Sequence, residues 1–536
     1  MKEQIVLVEI QAYNKVAGAA ETLRFCDGLA YRLRPTEVPA NALYRPFLLD
    51  PGWCRVDVFN RPGQYGQVTP GEVVLDDSSG TLGAQLINYA FDGRSIVIRI
   101  GDRGAAYPAG YVTVINGTVD GQPTFDETRI TFRPADLAAS QAKPLQQLRY
   151  AGTNALPAGL EGVDDLKGQV KPIVLALASN MTPRLVNTAK LIYQVSIPNG
   201  LAAVSCSAVR DRGVPLTLGA AYASLAALQD DAQAPAAGGF KVLSTAADGC
   251  YFRLGSSPVG AITCDAAYGA AGDRTHAQVW KRILKYMGVL DTAISAADVA
   301  ALDVALPAEI EFALFDETQA DSALTEVATS AGAAWYGDPS GVYRLTQWTA
   351  PAGPAVATLT QLRTSEINIV DPAGTGDVAP AYRVTLQHGR NWTVQNDSEL
   401  GGDKTNPGVD TVRAPGARAA LAARAWLALE HRTVPAEDAS VKTAHLNAIE
   451  LKLTSLIADT AAAQAFANAQ LALYKVARHS MALTQWLSPA QIALVRPAAV
   501  VTVKGSRWGY DAGRLMRIAG VKVDRWTGKT ELGVWG

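Results

Sequence analysis

Apolar and polar residues alternate along much of the first half of the chain, the pattern of strands that bury one face. Residues 5–10 form the first such run, and residues 71–75 another, after a stretch dense in proline and glycine at 61–66. Residues 95–100 place Ile96, Ile98 and Ile100 on one side. Residues 111–119 and 127–133 flank Asp120-Gly121, a turn that predicts a hairpin and helps set its register. After a looser segment at 135–168, residues 173–177 and 191–195 read as strands around a loop with the sequence NMTPRLVN, residues 180–187. Short strands at this spacing, separated by Gly, Pro and Asp, predict a barrel or sandwich rather than an α/β fold.

The period changes near residue 275. Residues 276–287 carry Trp280, Ile283, Leu284 and Met287 on one helical face, and Gly288 follows as a C-terminal cap. Ser295 opens a second helix, with Asp298 three residues on, and Pro307 lies beyond its end. A strand at 309–314 precedes a helix at 316–331 whose inner face is Ala320, Leu324, Val327 and Ala331, closed by Gly332. Trp335-Tyr336 and residues 342–348 then pair across the turn Asp338-Pro339-Ser340-Gly341, and a later strand runs over 381–395. Alanine-rich helices follow at 417–431, with Pro415 near its start, and from the capping Asp459 to residue 479. In the second, Ala462, Phe466, Ala469, Leu473 and Val476 recur at spacings of four and three. That stripe fits either a seam between subunits or a helix packed on its own sheet.

The end of the chain returns to period two. Residues 500–503 are a β-branched run, 504–514 a polar glycine-containing loop, 515–524 a strand with Val521 and Val523 opposite Lys522 and Asp524, and 529–535 a closing strand after a turn at 525–528. A chain whose last strand is this apolar is expected to fix it inside a sheet or an assembly, with Trp535 as its anchor.

The order helix, helix, strand, helix, DPSG hairpin, later strand and final meander resembles the tail-tip (baseplate hub) proteins of long-tailed, siphovirus-like bacteriophages and of gene transfer agents. The resemblance covers residues 275–410 and 481–536. It implies a structural virion protein at the tail tip, assembled in the host bacterial cytoplasm. In such tips a homotrimeric ring joins the distal tail protein ring to a central fibre or receptor-binding assembly. The ring holds the tape-measure protein, and DNA touches it only in transit. No cofactor and no stable membrane association are implied. Such a trimer would bury more than the ~1,600 Å² of a standard interface. Its lumen would be polar and acidic, because rings of lysine and arginine would hold phosphates. Some hubs carry an iron–sulfur cluster on C-terminal cysteines, but this chain has no cysteine after Cys264.

The fold class expected is therefore mainly β with α+β insertions, in several domains that include barrel-like β domains and an alanine-rich helical segment. The domains would be a β-rich N-terminal unit at 1–150, a second β-rich unit at 151–270, a hub-like α/β unit at 271–410, the helical segment at 411–480, and a meander completing a barrel at 481–536. A length of 536 residues exceeds one core, since domains average about 150 residues.

Composition narrows the functions. With 48% hydrophobic and 18% charged residues, few charges decorate a free surface, which suits a subunit that hides surface in an assembly. A net charge of −2 argues against a generally basic nucleic-acid-binding protein. No apolar run is long enough to span a membrane, and the N-terminal residues do not form a signal peptide. Cys26, Cys54, Cys206, Cys250 and Cys264 include no C-x-x-C pair and are expected to be free thiols. The sequons at Asn116, Asn180, Asn391 and Asn396 are then chance matches.

No catalytic, cofactor-binding or metal-ligating residue is assigned. The chain lacks a G-x-S-x-G elbow, an H-E-x-x-H helix and a P-loop. Residues 374–379, GTGDVA, fit a loose dinucleotide pattern but are followed by Pro380 and a strand. His276, His388, His431, His445 and His479 lie far apart, and His445 with Glu450 lacks a second histidine for zinc. Asp230-Asp231 reads as a solvated pair, and residues 371–377 lack the alternating ligands of a calcium loop. Two other functions stay open. A cell-wall hydrolase would need paired carboxylates on a cleft, and a carbohydrate- or receptor-binding tail protein would need exposed aromatics, for which Trp508 and Tyr510 are the local candidates.

Overall fold

The computed structural model describes residues 4–59, 66–135, 137–154, 159–198, 201–338, 341–360, 364–369, 380–406, 408–415, 420–506, 509–524 and 529–536. Strands hold 38% of the chain and helices 18%, so the protein is mainly β, with several sheets and domains.

The strand Gln4–Asn14 lies inside the first sheet, between Ser95–Asp102 and Ala19–Cys26, all antiparallel. Both of its faces are buried. Val6, Val8 and Ile10 face one core, while Ile5 and Leu7 pack with Tyr31, Tyr44, Tyr107 and Tyr111 on the other side. The expected hairpin between residues 111–119 and 127–133 does not form. Tyr111–Val119 pairs instead with Ser95–Asp102 and Pro134–Ala135, whereas Arg129–Phe132 pairs with Val73–Asp76 and Thr124–Phe125. The reversal moves to Asp126, whose carboxylate accepts from the backbone N–H groups of Thr128 (2.8 Å) and Arg129 (2.7 Å). A side-chain-closed turn there takes precedence over Asp120-Gly121.

Residues 173–268 build a two-sheet sandwich around Val195, Val209, Phe240 and Phe252. The segment 180–187 is mostly strand rather than loop. Leu177–Met181 pairs with Ile262–Tyr268, and Arg184–Asn187 with Ile192–Ser196, because Met181 and Val186 each find a core. Ile173–Val174 is a separate short strand against Ala313–Leu314.

Three helices, His276–Tyr286, Ala296–Ala305 and Ala320–Ser330, then pack on one another. Thr275 and Ser295 cap the first two through their hydroxyls, and Gly288 takes φ +85° just past the first. The third begins at Ala320 rather than 316, because the backbone of Thr318 and Ala320 is engaged by Leu145 and Lys143. The strand expected over 309–314 shrinks to Ala313–Leu314, since Ile310 and Glu311 turn to meet Ile457 and Leu456. Ala333–Gly337 and Tyr343–Gln347 pair as expected, with Trp335 opposite Leu345, although residues 339 and 340 lie outside the described set.

The strand at 381–395 stops at His388. Ala381–His388 is the centre of a three-stranded sheet with Arg432–Glu437 antiparallel and Ile449–Thr454 parallel. Of the helix expected at 417–431, Ala420–Leu427 is described. Thr460–Tyr474, capped by Asp459, covers one face of that sheet. It ends before residue 479 because His479 enters the C-terminal sheet, exchanging two backbone hydrogen bonds with Gly536.

The last sheet runs Thr358–Thr360, Val500–Lys504, Arg514–Asp524, Lys529–Trp535, Ser480–Trp486 and Thr364–Ile369. The long strand Arg514–Asp524 is shared along one edge. Its first half pairs with Val500–Lys504, and its second half with Trp53–Asp57 from the start of the chain. Val521, Val523, Leu532 and Val534 from this sheet share a single core with Val6, Val8 and Ile98.

Candidate functional site

Among the described residues, three places bring chemistry-bearing side chains together. The first is a buried polar seam between the sandwich and the helical unit. Glu311 is 3% exposed. Its carboxylate accepts from Ser179 Oγ (2.5 Å), Ser179 N–H (3.0 Å) and Trp392 Nε1 (3.4 Å). Asn180, at φ 58°, shares two amide hydrogens among Asn391 Oδ1 (3.0 Å), the Thr393 carbonyl (2.8 Å) and Gln395 Oε1 (3.2 Å). Asp265 accepts from the Asn180 backbone (2.9 Å) and from Arg210 (2.8 Å). Burial pushes the Glu311 carboxyl up to about 7, against the lowering effect of its donors, and Asp265 adds to the rise. A perturbed carboxylate in a cleft would suggest catalysis, but this one is sealed from solvent and from any substrate.

The second is an apolar groove of about 720 Å³ beside Thr460–Tyr474. The buried residues of this helix are Ala463, Phe466, Ala467, Gln470, Leu471, Leu473 and Tyr474. The stripe read from the sequence is rotated from this set: Ala462, Phe466, Ala469 and Leu473 form one wall of the groove, while Val476 is exposed. Pro307, Ala308 and Trp348 form the other wall. Arg478 closes one end, 4.8 Å over the Trp535 ring, and its guanidinium is held below the usual arginine range by burial and by Arg514.

The third is the outer face of the C-terminal sheet. Pairing places Trp53 opposite Asp524, and Lys522 opposite both Arg55 and Glu531. Across the next edge Glu531 meets Thr484 and Lys529 meets Trp486. Alternate residues of these strands point inward, so this set shares the solvent side. Lys522 lies 5.0 Å from the Trp53 ring centroid and 3.5 Å from the Glu531 carboxylate. Asp50, Gly52 and Trp53 border a cleft of about 430 Å³ here.

The residues weighed from the sequence stay apart. His276 and His388 are wholly buried, and burial holds His276 far down, at about 3. His445 is exposed, and Glu450 accepts from Thr385 (2.6 Å). Asp231 bridges Arg253 (2.7 Å) and Lys190 (3.2 Å) at the surface. Cys26, Cys206, Cys250 and Cys264 carry buried free thiols. Among the described residues no group of three or more His, Cys, Asp or Glu is placed to hold a metal ion, and no helix is long and apolar enough to cross a membrane. Residues 371–379 and Trp508 lie outside the described set. Tyr510 is not an exposed aromatic: it is 2% exposed, with its hydroxyl 2.6 Å from His479 Nδ1. Sequence reasoning missed Glu311, Trp53 and Trp486. The last was legible as an outward position in the alternation of residues 480–486.

No family model and no curated protein matches the sequence. Solved structures it is similar to include tail proteins, two of them of prophages, and a gene transfer agent virion. A tail protein from Neisseria meningitidis MC58 is 12% identical over 92% of this chain and 93% of its own, with a TM-score of 0.36. The 43 kDa tail protein of prophage MuSo2 from Shewanella oneidensis is 11% identical over 92% and 94%, with a TM-score of 0.38. A chain of the native gene transfer agent particle is 12% identical over 54% of this chain and 86% of its own, at a TM-score of 0.18. At TM-scores this low the likenesses carry no argument about function.

Proposed function

We propose that the chain is a structural virion protein of a phage-like tail tip, a baseplate hub whose three copies close a ring. In this reading the ring joins the distal tail ring to a central fibre or receptor-binding assembly, retains the tape-measure protein and passes DNA at ejection. The five units outlined from the sequence are its working parts. The observation that carries the reading is the order of elements through residues 275–410 and 481–536, which ends in a sheet sealed by Trp53–Asp57. A β-rich subunit whose last sheet takes in a strand from the other end of the chain suits a ring that must resist mechanical load.

Electron microscopy of the particle, with mass measurement of the purified protein, tests the proposal. A three-fold ring at the tail tip is the expected result. A six-fold ring or a monomer in the particle would overturn it, as would peptidoglycan clearing in a zymogram that one carboxylate substitution abolishes.

A further inference from the structure

We propose that the outer face of the C-terminal sheet, between Trp53 and Trp486, binds a neutral, β-linked oligosaccharide. The inference stands on this face alone and holds whether or not three subunits form a ring. Trp53 and Trp486 sit on the outermost two of four adjacent strands, Trp53 opposite Asp524 and Trp486 opposite Lys529, one step beyond the Val523–Thr530 pair that joins the inner two. Three strand spacings separate them by about 14 Å, the reach of a short oligosaccharide rather than a single sugar. Trp486 is 54% exposed at one end. At the other end Trp53 is half-buried: the Lys522 ammonium lies 5.0 Å from its ring centroid, and a Cβ at Gly71 would lie 2.9 Å from its Cδ1, so only glycine lets the chain close against the ring.

Between the two rings the surface is charged but balanced. Lys522 and Lys529 both lie against Glu531, at 3.5 and 3.8 Å, with Asp524 beside them on the same rung as Trp53. Carboxylates accept from sugar hydroxyls and ammonium groups donate to them, while indole faces stack on the flat C–H side of a pyranose. That flat side is complete only where ring substituents are equatorial, which selects gluco-configured, β-linked chains. The same balance disfavours other occupants. A protein partner would want an apolar centre, and here the centre is charged and only the ends are aromatic. A phosphate polymer would be repelled by Asp524 and Glu531.

The test is intrinsic tryptophan fluorescence and calorimetry of the full chain with cellotetraose and with tetra-N-acetylchitotetraose, each beside its disaccharide. Saturable binding of at least one tetraose is expected, with the disaccharide about tenfold weaker because it cannot span both rings. Trp486→Ala, at an exposed position, should weaken the tetraose by about tenfold with an unchanged melting profile. Glu531→Gln should weaken it less, and guards against misfolding of a tryptophan variant. Absence of saturable binding by both tetraoses overturns the proposal, and so does unchanged affinity in Trp486→Ala and Glu531→Gln together. Self-association that Trp486→Ala abolishes, without saccharide binding, would assign the face to a second copy of the chain instead.

Discussion

Two seams tie distant parts of this chain together, and they are made of opposite materials. At the C-terminal seam, Trp53–Asp57 joins Arg514–Asp524 by a backbone ladder, over an inner face of Val521, Val523, Leu532 and Val534. At the sandwich seam, Ser179 and Asn180 meet Glu311 and the 391–395 segment almost wholly through side-chain hydrogen bonds. A ladder over apolar side chains has no titrating group and fails only when a strand is lost. A polar seam depends on every partner being satisfied, and on the charge of one buried carboxylate. The first is therefore a fixed joint, and the second is the place where solution conditions reach the fold.

The largest expected effect breaks the fixed joint. Deleting residues 529–536 removes the strand between Arg514–Asp524 and Ser480–Trp486, and exposes the core shared with the N-terminal sheet. Soluble expression should be lost, and a truncated chain that stays soluble and keeps its near-ultraviolet circular dichroism would show that the two sheets do not depend on each other.

Asn180→Ala attacks the polar seam. It removes the amide donor from the Thr393 carbonyl and Gln395 Oε1, leaves Asn391 Oδ1 only the Thr393 N–H, and puts a Cβ-only residue at φ 58°, a loss of about 3 kcal/mol in local stability. Hydrogen exchange reads this directly at the Trp392 amide, which bonds the Ser179 carbonyl across the seam. Faster exchange there, with the C-terminal sheet unchanged, is the expected pattern.

Glu311→Gln sharpens the comparison through pH. A carboxyl raised to about 7 in the fold binds more protons than the unfolded chain above the usual carboxylate range. Stability from this group is greatest in acid and falls as pH rises to about 7. By then the buried charge costs on the order of 3 kcal/mol. The charged groups around it are Asp265 and Arg210 from the sandwich, and Arg390, stacked 4.1 Å over Trp392. The variant should flatten this slope and protect the Trp392 amide at pH 8 relative to the wild type, whereas unaltered pH dependence would place the titrating group elsewhere.

The smallest effect is a control on the surface. Glu72 and Arg133 pair at 3.1 Å with both side chains more than half exposed, so Glu72→Gln should shift thermal stability by about 0.5 kcal/mol or less.

Much of the local structure was legible in the sequence. Ser295 and Asp459 cap helices where the hydrophobic period begins, and Val521 and Val523 face inward while Lys522 and Asp524 face outward, as the period of two predicts. These features depend on neighbours a few residues away, so a linear reading captures them. The candidate site was less legible: Trp53 and Trp486 form one face only because their strands flank the same pair, and Glu311 is unusual only because the 391–395 segment closes over it. The helix caps at Ser295 and Asp459, the alternation at the end of the chain and the mainly β class followed from the sequence by itself. Which strands pair was decided by the tertiary structure. Residues 111–119 passed over the nearby 129–132 for 95–102, and residues 53–57 found their partner at the far end of the chain. Loop closure grows costly only slowly with length, so the depth of the core that a strand can enter outweighs its distance along the chain.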